Sequence, residues 1–410
     1  MPRPPVSARR AAPIASTTNP ALGIFLWSRV AIWAVAAFSL LVLAGSRNPR
    51  AGIWDRPKLT HDLGFLTDVW ARWDSVFFLR IAEHGYHAAG ASASAFYPLY
   101  PALVGVGGRA LGGHYVLAGI VVSLLTCLGA FVLLYRLAEN RLGTEAARRA
   151  VLYLAVFPTA LFLQAVYSES LYLLLVLAAF VLAERRRFLE AGTIAGLALL
   201  TRPAGIALLP ALALLAWRSP RRRRALASLA PAPLLFGVYP LLLWLQTGHP
   251  WGFASSQGIW HRHPSYAGPL GGIWDGLRAG FAGVEQLVSG SHTHRYWHTV
   301  QDVDPMRVAA FNLETLAFLV LFLVLTVVAW RRLGAAYGLF AAVSLAIPLS
   351  VPSERWPLLS IPRFGLVVFP FFLALATLGR RPRVHTAIVA VSSILLGVAV
   401  TRWALWQWVS

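Results

Sequence analysis

The stretch "ARWDSVFFLRIAEHGY" at 71–86 sets Asp74, Glu83 and His84 among aromatic residues, and "AFYPLYPALV" follows at 95–104. A carboxylate in such a setting is suited to general-base work. It takes the proton of a hydroxyl as that oxygen bonds to a new centre, which is what sugar transfer to an alcohol requires. Asp74 is the first candidate, because Arg72 and Trp73 precede it and the apolar run "SVFFLRIA" behind it predicts a rigid helix. The competing reading is that Asp74 caps that helix, Asp being a preferred N-cap. Residue type alone does not separate the two, and Trp–Asp recurs at Trp54–Asp55 and Trp274–Asp275. His84 is by type suited to proton relay, or to holding the loop by hydrogen bonds.

Two further charges sit in apolar turns: Glu169 in "AVYSESLYLLL" and Arg202 in "ALLTRPAGIALLP". A charge there is costly unless it has a partner. Arg202 therefore either grips a phosphate with its planar fork or pairs with Glu169. Arg363, at the helix start in "PRFGLVVFP", is a second phosphate candidate. His292, His294 and His298, near Asp302 and Asp304, have a spacing that fits no strong zinc signature, so no metal and no cofactor is expected. Trp251, Trp260, Trp274 and Trp297 of the same region are placed to anchor at a membrane interface or to stack on sugar faces.

The elements that must position these residues cross a membrane. The 410-residue chain is 58% hydrophobic and only 13% charged, about half the charged share of an ordinary soluble domain. Apolar runs near the ~20 residues needed to span a bilayer recur throughout. The net charge of +20 does not indicate nucleic acid, because the arginines are split into short runs between apolar segments. Candidate spans are 22–44, 115–137, 150–165, 167–183, 189–201, 203–217, 226–246, 309–330, 334–350, 363–379 and 385–405. Arg9–Arg10, Arg185–Arg187, Arg221–Arg224, Arg331–Arg332 and "GRRPR" fall on one side, which the positive-inside rule makes cytoplasmic. Most acids fall on the other. The expectation is an all-α polytopic membrane protein of about eleven helices. It has a cytoplasmic leader, 1–21, a single domain, 22–410, and external loops at 46–114 and 247–308. "FYPLYPALVGVGGRALGG" is read as an outer interfacial helix entered at Pro98 or Pro101, since a crossing there would flip every later arginine run. The hairpins 150–183 and 189–217 have arms that fall short of a full span. With Lys58 the single lysine and Ala and Gly abundant, the composition points to a GC-rich bacterial genome.

"RWDSVFFLRIAEHGY" with "FYPLYP" resembles the first luminal loop of the PIG-V mannosyltransferases, the GPI mannosyltransferase 2 group and its bacterial relatives. "FPTALFLQAVYSESLYLLL" and "ALLTRPAGIALLP" resemble that family's second and third motifs, in the same order. The resemblance implies a GT-C glycosyltransferase of the plasma membrane, working on the extracytoplasmic side. Its donor would be polyprenyl-phosphate-mannose, and its acceptor a hydroxyl of a glycolipid, lipoglycan or protein. By position it makes Asp74 the catalytic base, in an inverting transfer. It assigns substrate contacts to Arg72, Trp73, Glu83, His84, Tyr86, Tyr167, Glu169 and Arg202, with Arg363 a fainter echo. Membrane lipids are the other expected partner. A polytopic lipid or sugar transporter or flippase is the alternative. It would place its ionisable groups at mid-membrane in repeated halves, whereas the acids here lie in loops and no repeat is seen.

Overall fold

The computed structural model describes residues 20–298 and 303–409. Most of the expected leader, with Arg9 and Arg10, and Asp302 lie outside these residues. Helices account for all the regular structure described, apart from one isolated bridge between Arg262 and Ser353. Five helices are long and apolar enough to cross a membrane: Pro20–Val42, Tyr115–Leu142, Arg222–Thr247, Pro305–Leu333 and Pro382–Ala404. The eleven spans expected are therefore not matched by eleven full-length helices. The remaining candidates fall on shorter pieces such as Thr144–Ala155, Glu169–Glu184, Phe188–Leu199, Leu208–Trp217 and Ala335–Leu349. At ~1.5 Å per residue none of these reaches across ~30 Å of hydrocarbon.

The short helices come in pairs whose tips meet inside the protein. Non-helical backbone at such depth survives only where its polar groups are satisfied. The turn between Thr144–Ala155 and Glu169–Glu184 meets that need from several directions. Arg29, buried in the first long helix, donates through Nη1 to the Ala160 carbonyl at 3.0 Å and through Nη2 to that of Ala155 at 3.3 Å. Ser123 Oγ donates to the Ala165 carbonyl at 2.8 Å, and Val166 N–H to that of Trp70 at 3.0 Å.

The first external segment is anchored by helix Ser75–Ala89, broken at Gly85, whose φ of 75° suits a residue without a side chain. Helix Leu99–Ala110 follows from Pro98 and is too short to span, as expected of an interfacial helix. It lies so close to its predecessor that a Cβ on Gly105 would sit 2.7 Å from the Ala82 carbonyl oxygen. The second external segment, expected as a loop, is largely helical in its middle. It contains helix Pro269–Ser289, whose Gly272, Gly276, Gly280 and Gly283 bring it close to its neighbours while Trp274, Phe281 and Val288 face outward.

Candidate active site

Asp74 enters the site from a strained corner. Trp73 has φ 54°, a left-handed conformation costly for a bulky residue. Tyr167 stitches that corner shut: its hydroxyl accepts from Asp74 N–H at 3.1 Å and donates to the Arg72 carbonyl at 3.2 Å. The Trp73 ring is wedged edge-on against Trp406 and Trp408, with centroids 5.7 and 5.3 Å away. The Asp74 side chain makes no capping hydrogen bond to helix Ser75–Ala89. Instead its Oδ2 accepts from Arg363 Nη1 at 2.7 Å, and Oδ1 has no hydrogen-bond partner among the described residues.

From Asp74 the charges alternate inward. Arg363 lies over the Tyr167, Phe162 and Phe364 rings and brings Nε to 3.6 Å from Glu169 Oε1. Glu169 is fully buried at the start of its helix and pairs with Arg202 Nη1 at 2.5 Å. The ion pair considered from sequence is thus formed, at the tips of the two short hairpins. Arg202 Nη1 also donates to Ser168 Oγ at 3.3 Å, and its remaining N–H groups make no hydrogen bond among the described residues. A buried carboxylate between two guanidiniums fixes both in orientation, since losing either partner would strand a charge.

Asp74, Tyr167, Glu169, Arg202 and Arg363 line one cavity of about 140 Å³, walled by Phe96, Trp260 and Trp408. A second cavity of about 320 Å³ adjoins it, sharing Tyr97, Arg202, Arg262 and Phe364. The rest of its lining is chiefly apolar, with Ile347, Pro348, Val351, Val367 and Val368.

Arg262 was not singled out from sequence. It follows His261, whose φ is 52°, and donates to the Val351 and Leu359 carbonyls at 3.0 and 2.9 Å. Burial, and then the nearby Arg363, pull its guanidinium down to about 10, against Asp74. The available signal was the same as for Arg202: an arginine on the acid-rich side, out of keeping with the cytoplasmic runs. Trp408 was also missed, and only the close spacing of tryptophans in "TRWALWQWV" marks it. Among the described residues, Trp73, His261 and Ser360 are three of the five non-glycine residues with positive φ, and each is a wall residue or the chain neighbour of one. Strain is concentrated where function needs fixed side chains.

Other sequence candidates lie elsewhere. The Arg72 side chain stacks on Trp406, 4.3 Å from the ring, and faces a different cavity. Glu83 and His84 sit 3.6 Å apart on the solvent side of their helix and do not line the central cavity. Tyr86 is buried and supports the wall, its hydroxyl donating to the Phe96 carbonyl at 2.6 Å. Of the four tryptophans, Trp260 is at the cavity, Trp251 and Trp274 are exposed, and Trp297 donates to the Arg355 carbonyl. His292 meets Asp304, which caps helix Pro305–Leu333. Among the described residues no group of three or more His, Cys, Asp or Glu is placed to hold a metal.

Residues 62–214 match the family described as Mannosyltransferase (PIG-V), so the resemblance carried by the three motifs is borne out over that segment. No curated protein matches the chain. Among solved structures it is similar to the oligosaccharyltransferase AglB of Archaeoglobus fulgidus in complex with an inhibitory peptide and a dolichol-phosphate. Identity is 13% and TM-score 0.44, covering 93% of this chain and 56% of that one. An Archaeoglobus fulgidus oligosaccharyltransferase complexed with Zn and sulfate is similar at 15% identity and TM-score 0.41, covering 75% and 44%. The chain spans about half the length of these proteins. Likeness at this level carries no argument about the chain.

Proposed function

We propose that the protein is a multi-pass membrane glycosyltransferase of the GT-C kind, transferring mannose from polyprenyl-phosphate-mannose to an extracytoplasmic hydroxyl. The observation that carries this reading is Asp74: its Oδ2 is held by Arg363, its Oδ1 has no partner among the described residues, and it lines a cavity that adjoins a chiefly apolar one. The apolar cavity suits the polyprenyl chain. Arg202 and Arg262, at the junction, suit its phosphate. The family match supports the sugar, and the arginine pattern supports an outward-facing site in the plasma membrane. The acceptor is a glycolipid, lipoglycan or protein carrying a hydroxyl.

In the transfer, the acceptor oxygen attacks the anomeric carbon as Asp74 Oδ1 takes its proton. The bond from that carbon to the phosphate oxygen breaks, and its electron pair leaves with polyprenyl phosphate. Attack opposite the leaving group inverts the anomeric centre. The arginines are aimed at the oxygen where negative charge grows, so they favour the transition state over the ground state.

The test is Asp74→Asn, which keeps the shape of the side chain but cannot accept the proton. Mannose transfer at saturating donor should fall roughly 10²–10⁴-fold with donor affinity little changed. Asp55→Asn and Asp275→Asn, in the other two Trp–Asp contexts, serve as controls. Near-normal turnover of a folded Asp74→Asn protein would sink the mechanism.

A further inference from the structure

Arg72 is more than nine-tenths buried, and its Nε has no hydrogen-bond partner. No ion pair joins it to any described residue. Its flat face rests on Trp406, and it lines a cavity of about 520 Å³ separate from the one at Asp74. Burial pulls its guanidinium down to about 9, with Asp55 and Asp68 acting against that pull, and the group stays charged at neutral pH. A buried guanidinium whose N–H groups find no acceptor is costly unless a ligand supplies one.

The carboxylates at the same cavity act on Arg72 through space but accept no hydrogen bond from it, and each is held by other groups. Asp55 accepts from Arg47, from Thr60 Oγ1 at 3.2 Å and faces His61 Nε2 at 2.6 Å. Asp68 accepts from Asp62 N–H at 2.8 Å and Thr67 Oγ1 at 3.2 Å, and faces His61 Nδ1 at 3.3 Å. The cavity is thus lined by two guanidiniums, Arg47 and Arg72, and two carboxylates, Asp55 and Asp68, and of these four Arg72 is the one whose side chain makes no hydrogen bond among the described residues. Its mouth lies at the outer end of helix Pro20–Val42, the end expected at the extracytoplasmic interface. Leu41 and Phe65 there are 72% and 51% exposed. Apolar side chains around the unpaired N–H donors of Arg72 match a ligand with a phosphate head and hydrocarbon tails.

We propose that this cavity binds the phosphate ester of a membrane phospholipid, with Arg72 as its anchor. The site is distinct from the transfer cavity, since the stack of Trp73, Trp406 and Trp408 stands between them. Arg72 and Asp74 flank Trp73, so a bound phosphate stiffens the corner that carries the carboxylate. The proposal stands on Arg72 and its cavity alone, and its test needs no glycosyl transfer.

The test uses the full chain in dodecyl maltoside, which carries no phosphate. Three probes are added separately: dioctanoyl phosphatidylglycerol, dioctanoylglycerol with the same tails, and inorganic phosphate. Binding is read by thermal shift and by native mass spectrometry. Phosphatidylglycerol should bind and stabilise the protein, dioctanoylglycerol should not, and Arg72→Gln should weaken binding roughly tenfold to a hundredfold. Leu41→Trp, which obstructs the mouth at an exposed position, should also weaken it and covers the case in which Arg72→Gln fails to fold. Equal stabilisation by inorganic phosphate would assign the site to the free anion, Arg72 keeping its role. Equal binding of both lipids, or binding unaffected by either variant, would overturn the proposal.

Discussion

Asp74, Arg363, Glu169 and Arg202 form a line of alternating charge in which the two arginines share one buried carboxylate. Arg202 is the member with donors still available, so it is where shape matters beyond charge. Lys in its place keeps a positive charge but loses the planar fork. Arg202→Lys should therefore raise the apparent KM for the lipid-linked donor roughly tenfold or more, with turnover less affected and the protein folded. Unchanged donor KM in both Arg202→Lys and Arg202→Ala would confine Arg202 to the ion pair. At this scale the acids and Arg202 were legible because a charge in an apolar turn demands a partner. Glu169 was legible as a partner for Arg202, but the partner of Asp74 was not: Arg363 reaches it across 289 positions, and no local pattern encodes that pairing.

Among the elements, the short paired helices and the tight contact at Gly105 decide where the site stands. The arms at 150–183 and 189–217 read as too short to span, and their meeting tips are what bring Glu169 to Arg202. The helix after Pro98 was likewise readable, because proline suits a helix start and the arginine pattern ruled out a crossing. Helix Pro269–Ser289 was not. Its glycines weaken helical propensity, and only packing against neighbouring helices explains them. Gly105→Ala gives a direct measure of such packing. With no room beside the Ala82 carbonyl, it should lower stability by about 1–3 kcal/mol and displace helix Ser75–Ala89, which carries Asp74 at its head. A lowered thermal midpoint together with reduced transfer is the expected result. Unchanged stability would mean that the two helices separate freely.

For the whole molecule, the arginine runs predict which face is which. In a Cys127→Ser background, cysteines introduced at the exposed positions Ala91 and Thr293 should react with an impermeant thiol reagent added to intact cells. One introduced at Ser219 should not. Labelling at Ser219 with protection at Ala91 and Thr293 would invert the orientation. The end of helix Pro382–Ala404 and the residues after it pack against the first external segment: Trp403 Nε1 donates to the Val69 carbonyl at 2.7 Å, and Trp408 walls the cavity. In the order of synthesis, Asp74 emerges from the ribosome early and waits for residues more than three hundred positions behind it. Until those tryptophans are delivered, the corner at Trp73 has no backing and the cavity lacks a wall. On the proposed function, a nascent chain part-way through membrane insertion is therefore inert, and competence arrives late, when helix Pro382–Ala404 is seated.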